Sequence, residues 1–568
     1  MHELLIEPLK YYETVGKATH EQNAIQHFND LLGKSGVNVE ENRETVKKYN
    51  AELDVIKDLS KVLSKFKLYR VLLVIGIIAG VVLLITSFTQ FSESFFGGFL
   101  LLLLGGGLIG GGIYLLVKKV NPKIKSTNAV KAEHEAVAND IQQQAWAQMA
   151  PLNSLFRDDD AVRLIEKTIP EFSFEEKFTR AHERYFSREY DFIDLQHDEA
   201  SMLDTLPGKF AGNPFLFCRR RVHSMGSHTY QGSLTISWTE TYRDSNGDLQ
   251  TRTRTQTLYA SVTKPKPYYY TNTFLAYGNQ AAPNLNFSRV SSHAENLSER
   301  ALERKIKRGE NKLQKQAAKA VKQGGTFQEM ANSEFDVLFG ATDRDNEIEF
   351  RLMYTPLAQR NTVELIKDKN NYGDDFDFNK CGKFNVIMSD HAQNWNMNAH
   401  AGNYYSYDID QIYSNVVNFH NSYFKSIFFD FAPLLSVPAY VEEPCAALED
   451  YDDNSRNYTY YEHEVMVNAA GYNNFVHEDS TTEAILKTEF VAKDSSVDKI
   501  AVTAYSYTTF DRVDFIPVLG GDGYYHDVPV PWIEYIPVSK TSHVAIGNSL
   551  FNHVDGDVNY HGLNIYSI

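Results

Sequence analysis

The residue types best suited to proton transfer lie late in the chain, in YYEHEVMV (460–467), where His463 and Glu464 are adjacent. An imidazole beside a carboxylate is an acid–base pair in outline. A metalloprotease helix also needs a histidine four residues after His463. Val467 holds that position, and the next histidine is His477. The competing reading is the start of a surface helix. A second acidic stretch, DRDNEIE (343–349), sets Asp343, Asp345, Glu347 and Glu349 at alternate positions. In a strand these project to one side and offer hard oxygen ligands to a cation. A hairpin turn with a solvated edge accounts for them equally. The phosphate-binding GxxxxGK[ST] and nucleophile-elbow GxSxG patterns are absent. No cofactor or metal is therefore expected, and an enzymatic reading reduces to a hydrolase drawing on His463, Glu464, Asp343 and Asp345.

Basic residues form a clearer pattern. SERALERKIKRGENKLQKQAAKAVKQ (298–323) carries nine Lys or Arg against Glu299, Glu303 and Glu310, with Leu302, Ile306, Leu313 and Ala317 as an apolar stripe. A basic amphipathic helix suits an anionic membrane face or another polyanion. The contact residues expected are Arg304, Lys305, Arg308, Lys312 and Lys315. The alternative is a helix docked on its own domain with its charges in water. The net charge of −17 argues against nucleic acid as a partner.

Two uncharged apolar runs hold these elements to a bilayer: VLLVIGIIAGVVLLITSFTQ (71–90) and FFGGFLLLLLGGGLIGGGIYLLV (95–117). A span needs about 20 apolar residues. Glycine is costly in a soluble helix, but between membrane helices it permits close approach of backbones. Gly76-xxx-Gly80 in the first run and Gly106-xxx-Gly110 and Gly107-xxx-Gly111 in the second come to similar depths when the runs are antiparallel. A tight hairpin packed through Gly76, Gly80, Gly106, Gly107, Gly110 and Gly111 is expected; a homo-oligomer seam on the same glycines is the alternative. Lys61, Lys65, Lys67 and Arg70 precede the first run, Lys118, Lys119, Lys123 and Lys125 follow the second, and the connecting FSES (91–94) has no Lys or Arg. The positive-inside rule then puts both termini in the cytoplasm. The three cysteines, Cys218, Cys381 and Cys445, are far apart and fit a reducing compartment.

The remaining pattern predicts an α+β protein. An N-terminal helical stalk with a two-helix transmembrane hairpin precedes a large mixed α/β cytoplasmic body rich in antiparallel strands. The boundaries read as 1–70, 71–117, 118–206, 207–290, 291–325 and 326–568. Pro122 is expected to interrupt the helix after the second span; helices over 41–70 and 127–149 then flank the spans and can pair as a short stalk, or one of them can pack as an amphipathic helix on the globular domain. TYQGSLTISWTETY and LQTRTRTQTLYASV, joined through Asn246-Gly247, form a hairpin with Trp238 opposite Thr255 and Leu234 opposite Tyr259. EFDVLFGA and EIEFRLMYT read as strands, as do KFNVIM, KIAVTAYSYT, RVDFIPVL and VPWIEYIPV. Helices are expected near 407–428 and 461–470.

GNPF (212–215), TYQGSLTISWTE (229–240), YGNQAAPNLNFSR (277–289), ATDRDNEIEFRLMYTPLAQRN (341–361), SIFFDFAPLLSVPAY (426–440) and IPVLGGDGYYHDVPVPWIEYIPV (516–538) resemble an uncharacterised family of two-span membrane proteins of mollicutes and other low-GC Gram-positive bacteria. The resemblance implies this layout and a bacterial cell membrane, and supplies no reaction. The expected function is a membrane-anchored cytoplasmic scaffold with the bilayer, an unknown protein and its own copies as partners.

Overall fold

The computed structural model describes the chain apart from residues 1–4, 92–93, 193–198, 244–246, 394–396, 443–457, 495–496, 549–557, 561–562 and 568. It divides into two units, both discontinuous in sequence. One comprises residues 1–20, 161–398 and 422–568, the other 21–160 and 399–421.

The second unit is built on long helices: α1 (Lys17–Ser35), α2 (Val39–Gln90), α3 (Phe95–Leu115) and α4 (Asn121–Asn153). Asn38 caps α2 by accepting from the Glu41 amide, with Glu40 and Glu41 in the first turn. At ~1.5 Å per residue α2 runs about 78 Å. It pairs antiparallel with α3 and α4. Leu63 packs on Val120 and Ile124, Glu52 meets His134 at 2.6 Å, and Gln148 donates to Thr45. Beyond these contacts Phe28, Met149, Tyr404 and Ile412 share a small core. Pro122 does not break the second helix as expected. Leu116–Val120 forms one π turn, and α4 resumes with Pro122 in its first turn. The wider turn makes room for the proline ring and absorbs its missing N–H, so the helix continues.

The apolar parts of α2 and α3 pack through a seam different from the expected one. Gly98, Gly105 and Gly112, seven residues apart, are buried. A Cβ on Gly105 would lie 2.8 Å from the Gly80 carbonyl oxygen and 3.1 Å from Leu84. One on Gly112 would meet Ile77, and one on Gly98 the Phe91 ring. Gly80 belongs to this seam, but a Cβ on Gly76, Gly106, Gly107, Gly110 or Gly111 would meet nothing within 4 Å. Matching depth set which turns lie opposite but not the rotation of each helix. A seven-residue repeat keeps one stripe facing an antiparallel partner.

In the first unit a seven-stranded sheet has the order β1 (Phe172–Phe174), β2 (Ala200–Phe210), β3 (Asn213–Arg243), β4 (Leu249–Gly278), β7 (Phe384–Ser389), β6 (Phe376–Cys381), β5 (Asn286–Arg289). Helices α5 (Asp160–Thr168), α6 (Arg180–Tyr190), α7 (Glu299–Gln323), α8 (Ser333–Phe339), α9 (Glu347–Met353) and α10 (Pro356–Lys367) intervene along the chain. After α11 (Ile409–Leu435) and α12 (Tyr460–Ala469) comes a second sheet, ordered β11 (Val558–Tyr560), β12 (Leu563–Ser567), β10 (Tyr525–Asn548), β9 (Val497–Leu519), β8 (Ile485–Asp494). Helix α12 is buried between the sheets. Tyr461 and Val465 join a core with Met202, Leu216 and Phe274; Met466 and Val467 join one with Leu486, Val502 and Val544.

Two expectations about this unit are corrected. EFDVLFGA and EIEFRLMYT are helical, as α8 and α9. Asn332 and Asn346 cap them, and Phe335, Leu338 and Phe339, like Phe350 and Met353, are buried at three- and four-residue spacing. In the β3–β4 hairpin Trp238 is opposite Arg254 and Leu234 opposite Leu258, one residue from the expected register. Pairing ends at Arg243 and Leu249, so the turn takes five positions rather than two; Asn246 lies outside the described residues. A one-residue slip exchanges the faces of a strand. Arg252 and Arg254 therefore share the face of Trp238, both paired with Glu240. The other face is a threonine ladder, with Thr229 bonded to Thr263 and Thr235 to Thr257.

Candidate functional site

The fold places His463 and Glu464 inside the core rather than at a surface or in a cleft. Glu462 accepts hydrogen bonds from the Phe178 amide at 2.9 Å and the Thr205 hydroxyl at 2.7 Å. His463 Nε2 is 3.4 Å from Asp498. Glu464 accepts from the Met202 amide and pairs with Lys487 at 2.7 Å. Burial raises the Glu464 pKa, and Lys487 opposes that shift. Each charge on α12 thus ties it to β2, β8 or β9. A helix enclosed by two sheets must satisfy its polar side chains internally, so this is a buried clamp.

Asp343 and Asp345 are elsewhere, at the β5 edge, with four strands between β2 and β5, or about 24 Å at ~4.8 Å per strand. Asp343 accepts from the Ser288 amide, Asp345 from the amide and side chain of Asn286, and Glu349 from the amide and side chain of Asn284. Glu347 turns the other way, to Arg344. The alternate carboxylates match alternate edge amides of β5, which would otherwise invite another strand. Their spacing reports an edge cap, and the four residues of the hydrolase reading do not converge.

Helix α7 forms where expected and ends at Gly324, φ +70°. Gly309 and Leu313 face the fold, with Gly309 against Val337. Lys305 turns inward too. Its Nζ donates to the Ser292 carbonyl at 2.8 Å, and burial lowers its pKa. Arg304, Arg308, Lys312 and Lys315 are exposed and form no ion pair among the described residues. Four of the five expected contact residues share an open face; Lys305 does not.

Three features escape sequence reasoning. In the first, His391 stacks on Tyr372 at 3.8 Å, with Nδ1 2.6 Å from Asp375 and Nε2 3.6 Å from Asp430 of α11. Burial pushes Asp430 up to about 6. Burial alone would lower the His391 pKa, but Asp430 and Asp375 raise it above the usual imidazole value. In the second, the ribbons β3–β4 and β9–β10 pack alongside one another, from His223 against Tyr507 to Trp238 against Gly521. Ile236 and Leu258 bury against Val528, Lys264 pairs with Asp514 and lies over Trp532, and a Cβ on Gly232 would collide with the Pro529 carbonyl. On one face of the β9–β10 ribbon, at alternate positions and their cross-strand partners, Phe515 (64%), Leu519 (54%) and Tyr525 (73%) are exposed. In the third, a groove of about 600 Å³ opens at the base of the β9–β10 ribbon, lined by His223, Tyr269, Ser506 and Tyr507. The alternation of β9 was readable, but the pairing of His223 with Tyr269 depends on a register that was not.

No family model, curated protein or solved structure matches this chain.

Proposed function

We propose that the protein is a membrane-anchored cytoplasmic scaffold that crosses the bilayer twice, with both termini inside. The anchoring rests on α2 and the α3–α4 helix, whose most apolar windows are only 11% buried. Ile78, Ile85, Phe88 and Leu103 point outward, as side chains facing lipid would. The lysine-rich flanks orient the pair, and a cysteine placed at Ser92 should be labelled from outside intact cells while Cys381 is not.

The observation that carries the scaffold reading is the exposed apolar stripe of Phe515, Leu519 and Tyr525 on the β9–β10 ribbon, which packs on the β3–β4 ribbon. An exposed apolar stripe outside a core marks an interaction site more often than an active site. A photo-crosslinking amino acid at Phe515 or Tyr525 in cells should give discrete adducts, whereas Ser237 on the threonine face should not. Equal labelling at all three positions, or none, would refute the reading. The open basic face of α7 supports a second contact, with anionic head groups, through Arg304, Arg308, Lys312 and Lys315.

A further inference from the structure

The apolar stripe of the β9–β10 ribbon shares its face with two open carboxylates. On this face stand Asp511, Val513, Phe515 and Leu519 of β9, and Tyr525 and Asp527 of β10. Val513 is itself 49% exposed. Asp511 and Asp527 are exposed and form no side-chain hydrogen bond or ion pair among the described residues. Neighbouring charges are already satisfied: Asp514 pairs with Lys264 at 2.8 Å and Glu534 with Arg512 at 2.8 Å. From Asp511 to the turn and back to Ile533, its cross-strand partner, no Lys or Arg stands on this face.

Apolar side chains with carboxylates beside them complement an apolar surface that carries Lys or Arg. The stripe is a sheet face, so it offers side chains and no backbone groups. A strand laid across it would bury its own N–H and C=O groups unpaired, whereas a helix satisfies them internally. Prolines at alternate positions of β10, Pro529, Pro531 and Pro537, also deny its outer edge to an added strand. Spacing sets the register of a docked helix. Asp527 pairs with Pro517, six residues along β9 from Asp511, which is about 20 Å at ~3.4 Å per residue. At ~1.5 Å per residue of helix that distance is about 14 residues, close to four turns, so both contacts fall on one side of the helix.

We propose that this face docks an amphipathic helix of a partner protein, with apolar residues on Phe515, Leu519 and Tyr525 and two Lys or Arg about 14 residues apart directed to Asp511 and Asp527. The proposal rests on the stripe being the contact surface of the scaffold, and adds the class of partner. A helix of about 18 residues, some 27 Å long, covers β9 from Asp511 to Leu519.

The test uses the full chain in nanodiscs of neutral lipid, with Cys381 and Cys445 replaced by serine and a bimane on a cysteine at Tyr524. Tryptophan quenches bimane only at contact range, so peptides with a tryptophan at each end are read at the ribbon and not on the lipid. Four peptides of about 20 residues are compared: an amphipathic helix with two Lys 14 residues apart, the same helix with Glu for Lys, the same composition scrambled, and an alternating strand-forming peptide with Lys six residues apart. The Lys-flanked helix should bind about 10-fold more tightly than the others, as two exposed ion pairs allow. Asp511→Asn with Asp527→Asn should abolish its advantage over the Glu-flanked helix and leave the thermal midpoint unchanged. Phe515→Ser should weaken both helices about 10-fold. Equal quenching by the Lys- and Glu-flanked helices, stronger quenching by the strand peptide, or quenching by none would overturn the assignment. So would association of single-chain discs that is lost in Phe515→Ser, since the occupant would then be a second copy. Discrete crosslinks at Phe515 and Tyr525 alongside any of those results leave the scaffold reading standing without the helix, whereas their absence refutes the scaffold reading itself.

Discussion

Substituting Gly105 should separate α2 from α3, whereas substituting Gly110 should not. A Cβ on Gly105 comes within 2.8 Å of the Gly80 carbonyl oxygen and 3.2 Å of the Leu84 amide nitrogen, where ordinary contact begins near 3.4 Å. The obstacles are backbone atoms of the facing helix, so no rotamer change relieves them. The helices must part by roughly half an ångström, and a gap of that size forfeits about a quarter of each dispersion well at the crossing. For a leucine-sized contact of about 50 atom pairs at ~0.15 kcal/mol each, the loss is about 2 kcal/mol, inside the ~1–3 kcal/mol typical of overpacking. That is roughly a 30-fold shift in the pairing equilibrium. Gly110→Ala meets nothing within 4 Å and should stay within ~0.5 kcal/mol. The assay is energy transfer between dyes on cysteines placed at Lys67 and Lys119, followed through an SDS titration in mixed micelles, with Cys381 and Cys445 replaced by serine. If Gly110→Ala costs as much as Gly105→Ala, the tight seam runs through the GxxxG face and the packing argued here is wrong.

Asp345→Ala removes an acceptor from the amide and side chain of Asn286 and should cost about 1 kcal/mol in urea unfolding. Millimolar calcium should leave the wild-type thermal midpoint unchanged, since backbone donors already occupy these carboxylates; a calcium-dependent rise would restore the cation reading. His391 has its folded pKa raised by Asp430 and Asp375, against the effect of burial. Its stabilising contribution is therefore fully present below about pH 6.5 and is lost as pH rises through the folded value. The destabilisation caused by His391→Gln should be larger at pH 6.5, where Asp430 is ionised, than at pH 8.5; a pH-independent difference would refute the linkage. For α7, changing Arg304, Arg308, Lys312 and Lys315 to Gln should abolish head-group quenching of a dye at Lys319 in anionic nanodiscs, at about 1 kcal/mol per residue near an anionic surface. Lys305→Gln should leave the quenching in place, and ~1 M salt, with a ~3 Å Debye length, should suppress it. Equal quenching in neutral and anionic discs would count against lipid contact.

What composition and periodicity determine here is the kind of element at each place. Two runs of 20 and 23 residues without a charge or a proline form long apolar helices, because their glycines are tolerated where helix packs on helix and nothing in them requires water. The lysine-rich 298–323 segment, with its four apolar positions and terminal glycines, is legible as α7 down to its cap, and the alternation around Trp238 as a hairpin. These are local properties, decided within a few turns or a strand pair.

Relations between distant segments depend on geometry that no local pattern carries. The hairpin register moved by one because the turn took five positions, and that changed which side chains share a face with Trp238. The glycine seam settled on Gly98, Gly105 and Gly112 because the rotation of α3 against α2 is chosen by all contacts along the pair, not by the most conspicuous motif. His463 and Glu464 became a core clamp because two sheets enclose α12, and Asp343 and Asp345 became an edge cap because β5 lies beside them. Residue type and spacing state what chemistry a side chain can do. Whether it does that chemistry is decided by which partner reaches it first, and in a chain of 568 residues that partner is most often a segment from elsewhere in the sequence.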